Sequence, residues 1–470
     1  MFNFELDNHE YNHIHFIGIG GISMSGLAEI LLTKQYKITG TDNKSTPSVQ
    51  RLKDLGAYIY IGHEKKNIEG ADLIIYTDAI SKDNDELVAA KESNIPTVDR
   101  ATFLGALMLN YKNSIAVSGT HGKTTTTSMI ASITNNGTLD PTILLGGQLD
   151  EIGGNVKLGS NDYILTEACE YKANILKYYP TMAIILNIDE DHLDYFKDMD
   201  HIVDTFIGYG KNLKKDSCLL INNDDPYSPQ VIENTSANIV TFGIDNPANY
   251  RATNIQYLDN GHTNFTLVIN NKETWPIDIN VIGNHNIYNA VASIAATHLQ
   301  GLTMEEITKN ISKYNGVQRR LELKGFLNDV KILDDYAHHP TEIQTTLNAL
   351  KNQSNSNVYC VFQPHTFTRT KSLLNSFSNA FTDVKEIIIT DIYAARELDN
   401  GEIHSKDLVN AINKKSNNAK YIATFSEVES YLFNKVKPGD TIITMGAGDV
   451  YLIGESLLKE QENDEERTAV

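Results

Sequence analysis

The hydrophobic pattern opens with a short apolar strand from His13, a glycine turn at Gly18 to Gly21, and a helix over about Ser23 to Thr33 with apolar residues at helical spacing. Buried-strand runs follow at Tyr36 to Thr41 and Leu73 to Tyr76, with helix-like stretches between them. This alternation predicts a small doubly wound α/β domain over residues 1–110, ending near Leu109 to Asn113. Strand, glycine loop and helix then recur in Ser114 to Thr134, and strand-like runs continue at Tyr163 to Thr166, Met182 to Asn187 and Cys218 to Asn222. A second parallel α/β unit is the economical reading for residues 111–316. Between Tyr250 and Ile282 the pattern becomes alternating around Asp259-Asn260-Gly261 and Asn270-Asn271, which are hairpin signals, so an antiparallel patch is expected before a helix near Asn286. From Val317, strands at Val358 to Phe362, Glu386 to Thr390 and Thr441 to Met445 predict a third α/β unit, residues 317–470, whose charge-rich end from Lys459 is expected to fray.

Composition narrows the classes of function. The chain has 470 residues, enough for about three domains. Acidic residues outnumber basic ones 60 to 40, so a nucleic-acid partner is a poor fit, whereas a small phosphorylated ligand can be held locally whatever the global charge. Three scattered cysteines with no CxxC spacing point away from a disulfide framework and towards the cytoplasm. No apolar run approaches the ~20 residues of a membrane span, so no membrane insertion is expected.

The strongest chemical signal is Gly119-Thr120-His121-Gly122-Lys123-Thr124, set between an apolar strand and a helix. Backbone N–H groups at such a helix start face phosphates, Lys123 supplies a point charge, and the Thr124 hydroxyl can join a magnesium shell. The strict Walker pattern fails at Val117, where its first glycine would fall. The earlier loop Gly18-Ile19-Gly20-Gly21, trailed by Asp42, is close to a dinucleotide fingerprint, but its third glycine is Ser23, and the motif leaves the nucleotide open. Glu167 and Glu170 end one strand, and His192 among Asp189, Glu190, Asp191 and Asp194 follows the next, where open α/β sheets bind substrates; a solvated acidic loop explains them equally well. Asp334-Asp335-Tyr336-Ala337-His338-His339-Pro340 and Gln363-Pro364-His365-Thr366-Phe367-Thr368-Arg369 place further polar groups at strand ends, and Arg319-Arg320 sit at the second boundary.

Taken in order, these stretches resemble the Mur ligases over nearly the whole chain, from His15-Phe16-Ile17-Gly18 to Gly446-Ala447-Gly448-Asp449. Ser118 to Thr126 is similar to the family's ATP loop, and Gly283-Asn284-His285-Asn286 to its adenine-side helix start. The resemblance implies a UDP-binding N-terminal domain, a central P-loop ATPase-like domain and a C-terminal Rossmann-like domain. It implies ATP as co-substrate with Mg2+, and UDP-N-acetylmuramate and L-alanine as the pair to be joined through an acyl phosphate, by a monomer or homodimer. It assigns ATP to Gly119, Thr120, His121, Gly122, Lys123, Thr124, Thr125, His285, Asn286, Arg320 and Asp335, and the UDP-sugar to Gly18, Gly20, Gly21, Ser23, Met24 and Asp42. It assigns metal ions to Thr124, Glu167 and His192, and catalysis to Lys123, His338 and Arg369. Two positions depart from the family pattern: Ser23, often glycine, and Thr366, arginine in some members, which leaves Arg369 to meet the amino-acid carboxylate.

Overall fold

The structure, a computed structural model, describes residues 2–135, 138–258, 261–351, 356–395 and 397–468. It is a mixed α/β chain of three domains, each built on its own sheet. The first sheet runs, edge to edge, Tyr58–Ile61, Lys37–Asp42, His13–Ile17, Leu73–Tyr76 and Thr97–Asp99, all parallel. Its central strand is buried throughout, histidines included: His13 and His15 share the Thr39 hydroxyl at 2.9 and 2.8 Å, and His15 Nε2 faces Glu86 at 3.7 Å.

The middle sheet has ten strands. Its parallel centre places Asn113–Ser118 between Ser160–Glu167 and Met182–Ile185, and Cys218–Asn222 and Asn238–Gly243 extend it. Tyr250–Tyr257, Thr263–Ile269 and Glu273–Ile279 supply the antiparallel patch. Asn270 and Asn271 turn it with φ of 51° and 55°, the positive values that asparagine tolerates in tight turns. Asp259 and Asn260 of the other turn signal lie outside the described residues. The third sheet runs Glu322–Leu327, Val330–Asp335, Thr441–Met445, Val358–Phe362, Glu386–Ile389 and Ala419–Tyr421, parallel except for its first pair.

Continuous apolar strands such as Val358–Phe362 and Thr441–Met445, fully buried, show why the parallel reading holds: helices cover both faces. The pattern misses short or mixed strands, among them Tyr58–Ile61, Thr97–Asp99, Pro141–Leu149 and Gly154–Lys157. The C-terminal expectation needs correction. The last helix spans Tyr451–Thr468, because its Lys, Glu and Gln are good helix formers and charge alone does not end a helix.

The first and middle domains share one apolar core. Phe103, Leu104 and Leu107 of the helix Arg100–Met108 belong to the same buried cluster as Ile164, Ile175 and Tyr178. Contact is close enough that a Cβ on Gly105 would lie 2.1 Å from the Lys177 carbonyl oxygen.

Candidate active site

The buried strand Asn113–Ser118 delivers the loop at its C-terminal end, and the helix Lys123–Asn135 leaves from it. Gly119 and Gly122 have φ of 129° and 84°, conformations that side chains disfavour. Asn187 clips the turn from the neighbouring strand end: its Oδ1 accepts from the His121 N–H at 2.8 Å, and its Nδ2 donates to the His121 carbonyl at 3.0 Å.

Lys123 folds over its own loop, donating to the carbonyls of Gly119 and Thr120 at 2.5 and 2.9 Å, and forms an ion pair with Glu170 at 3.0 Å. Glu170 in turn lies 3.3 Å from His192 Nε2. Glu167 does different work, accepting from the Thr124 hydroxyl at 3.1 Å and from the Gly146 N–H at 2.6 Å. The two carboxylates diverge in acidity. Burial pushes Glu167 up, only partly offset by the Gly146 N–H and Lys123. Burial acts the same way on Glu170, but Lys123 and His192 outweigh it and hold the carboxyl down.

Two cavities flank this loop where the middle and third domains meet. The first, about 400 Å³, is lined by His121, Gly122, Thr125, His285, Asn286, Arg320 and Asp335, gathering seven of the residues expected at ATP. Arg320 lies over the Tyr336 ring at 5.1 Å. Asp335 accepts from the N–H groups of Leu321 and Ala337 at 2.9 and 2.7 Å, yet burial lifts its carboxyl to about 6 despite nearby Arg320. His285 is lowered to about 4 by burial and by Arg320, and its buried Nδ1 has no hydrogen-bond partner, so an uncharged ring faces this space.

The second cavity, about 330 Å³, brings His192, His338 and Arg369 together with Tyr171, Asp191, Tyr336, His365 and Thr366. His338 Nδ1 lies 3.0 Å from the Tyr336 carbonyl, which makes that nitrogen the donor and leaves Nε2 as an acceptor. Burial lowers this imidazole to about 4. His339, the other half of the pair, is buried against the His121 ring, with centroids 5.1 Å apart, and does not line this cavity. Thr366, with φ of 65°, caps the helix Phe367–Ser372 by accepting from the Arg369 N–H.

Polar ties cross from the middle to the third domain beside the cavities. His121 stands between Asp189 at 3.0 Å and Glu342 at 3.2 Å, Thr341 donates to Asp189 at 2.9 Å, and Arg369 pairs with Asp191 at 3.1 Å. Burial alone would lower His121, but Asp189 and Glu342 raise it to about 9.

The first glycine loop lies apart from both cavities. Gly18 has φ of 82°, and the Gly20 N–H donates to Asp42 at 2.9 Å, so Asp42 braces the turn. Ser23 accepts from Arg100 at 3.3 Å, whereas Met24 turns its side chain into the core. The sequence pattern points to Glu170 and Asp191 beside Glu167 and His192 but gives neither a role of its own. It missed Glu342, a single carboxylate in a helix start with no motif to mark it.

Family models match three consecutive stretches: "Mur ligase family, catalytic domain" over residues 13–112, "Mur ligase middle domain" over 117–297 and "Mur ligase, glutamate ligase domain" over 319–448. The chain belongs to the Mur ligase family. It is 48% identical over 458 residues to a UDP-N-acetylmuramate–L-alanine ligase of Acetivibrio thermocellus, covering 97% of this chain and 98% of that one. A protein of the same name from Clostridium acetobutylicum is 47% identical, with 97% and 99% covered. Among solved structures, the UDP-N-acetylmuramate-alanine ligase of Thermotoga maritima superposes with a TM-score of 0.81 at 26% identity, covering 96% and 99%. A murein peptide ligase of Psychrobacter arcticus shares the fold, with a TM-score of 0.71 at 24% identity over 95% and 98%. No helix among the described residues is long and apolar enough to cross a membrane.

Proposed function

We propose that this Mur ligase joins L-alanine to the lactyl carboxylate of UDP-N-acetylmuramate, with ATP converted to ADP and phosphate. The relatives named for that reaction, nearly half identical over almost the full length, support the choice of substrates. The observation that carries the chemistry is a chain of polar contacts linking the phosphate loop to the second cavity: Lys123 to Glu170 at 3.0 Å, Glu170 to His192 at 3.3 Å, His192 to Asp191 at 3.7 Å and Asp191 to Arg369 at 3.1 Å. ATP occupies the first cavity with its phosphates towards Gly119 to Thr124, and alanine enters the second.

A carboxylate becomes reactive towards an amine once its oxygen is a leaving group, which an acyl phosphate provides. Lys123 and the loop N–H groups carry the charge of the transferring phosphoryl. The oxygen donors here suit Mg2+, a hard cation: the Thr124 hydroxyl and Glu167 would hold one ion, and the Glu170 carboxylate, with the His192 imidazole beside it, a second. When bound, the metal neutralises phosphate charge. Cys169 also lies within 4.8 Å of the second set, but burial raises its thiol to about 11, which leaves it a neutral bystander. Arg369 receives the alanine carboxylate, and the Nε2 of His338 faces the amine as a proton acceptor. Gly18, Gly20, Gly21, Ser23, the Met24 main chain and Asp42 receive the UDP-sugar.

In this reading the division of labour follows residues 1–110, 111–316 and 317–470, and a monomer or homodimer works in the cytoplasm, where ATP is supplied. The test is phosphate release with ATP, magnesium and UDP-N-acetylmuramate, with and without L-alanine, followed by mass analysis of the sugar. Release that needs alanine, with one alanyl residue gained, is the expected result. A dependence on a preformed peptide instead of alanine would overturn it.

A further inference from the structure

The Asp191–Arg369 pair has a feature that a simple interdomain tie does not explain. Both side chains are nearly buried, yet both line the 330 Å³ cavity, one from each domain. Asp191 Oδ1 accepts from Arg369 Nη2 at 3.1 Å and from the N–H of His192 at 2.6 Å, while the ion-pair contact of Oδ2 among the described residues is the longer one to His192 Nε2, at 3.7 Å. His192 adopts φ of 56°, uncommon for a residue with a side chain, and its carbonyl accepts from the N–H groups of Tyr195 and Phe196, both at 2.9 Å. That turn aims Asp191 and His192 into the cavity.

The other carboxylates lining the cavity are already engaged and more open. Asp194 accepts from the Tyr171 hydroxyl at 2.8 Å and is exposed, and Glu397 is held by the main chain and hydroxyl of Thr368. Asp191 is the buried carboxylate of this wall among the described residues.

We propose that Asp191 binds the ammonium group of the incoming amino acid, so that the Asp191–Arg369 pair reads both ends of a zwitterion. This rests on the amino-acid assignment of the second cavity. A free amino acid is neutral overall but carries a cation and an anion a few ångströms apart. Entering between Asp191 and Arg369, it exchanges one ion pair for two and leaves no buried charge unmatched. An acid without an amine, or an amine without an acid, leaves one member of the pair without its charge partner. The site therefore selects α-amino acids by charge before it selects side chains by size.

The test compares the wild type with Asp191→Asn, measuring KM for alanine, ATP and UDP-N-acetylmuramate, and inhibition by propionate, which has the carboxylate but no amine. The expected result is a rise in alanine KM on the order of 10- to 100-fold, the range for losing a hydrogen bond to a charged group, with KM for the other substrates within about twofold. Propionate inhibition should hold or strengthen, since Arg369 is no longer shared. If alanine and propionate weaken by the same factor, Asp191 acts only by orienting Arg369, and the proposal falls. It also falls if alanine KM is unchanged. Asp191→Glu keeps the charge and should recover part of the alanine affinity; recovery by neither measure, should Asp191→Asn misfold, counts against the idea. Absence of alanine-dependent product in the wild type would instead defeat the reading on which this one rests.

Discussion

Replacing His121 by Gln should cost stability at pH 6 and almost none at pH 10. The imidazole bridges Asp189 of the middle domain and Glu342 of the third, with about 9 as its pKa against 6.5 for the free side chain. Burial works against the charge, so the two carboxylates supply more than the whole rise. At ~1.4 kcal/mol for each pH unit between 6.5 and 9, the ceiling is about 3 kcal/mol. Asp189 keeps 38% of its side chain exposed, and solvent screening brings the figure nearer to about 2 kcal/mol. Because the folded pKa lies above the unfolded one, this stabilisation is fully present below pH 6.5 and disappears as the pH rises through about 9. Calorimetric unfolding of the wild type and His121→Gln at half-unit steps from pH 6 to 10 reads the difference directly. A gap of several degrees in the transition that reports the third domain should close across that window. A gap that is flat or widens with pH would refute the bridging role.

Other expectations follow from the same geometry. Lys123→Ala should leave the protein folded but with a lowered thermal transition, because buried Glu170 loses its partner, and should remove at least ~100-fold of alanine-dependent phosphate release, as for one lost transition-state contact; near-normal turnover would refute its role. Gly105→Ala pits a helix-propensity gain of about 1 kcal/mol against a Cβ placed 2.1 Å from the Lys177 carbonyl, and overpacking of ~1–3 kcal/mol should win, lowering the melting temperature. Glu167→Gln should weaken magnesium binding, raising the concentration needed for half-maximal activity by ~10-fold or more, while chelation should abolish turnover in the wild type. Magnesium titrations of phosphate release check both.

What could be read in the sequence follows a physical division. Continuous apolar strands and the loop from Gly119 to Thr124 carry their signal within a few adjacent residues, so pattern alone locates them. Glu342 and Asp191 acquire meaning only across space: one becomes a bridge because a helix of the third domain starts opposite His121, the other because His192 takes a left-handed turn that no local motif announces. The His338-His339 pair makes the same point within two positions. Adjacent in sequence and identical in chemistry, they diverge because the chain enters a helix at Pro340, so one ring faces the Arg369 cavity and the other packs on His121. The proposed catalytic arrangement is thus legible domain by domain, whereas the proposed selectivity belongs to the seam between domains. Each of the two cavities there has walls from both domains, so the proposed amino-acid site exists only while the middle and third domains are in contact.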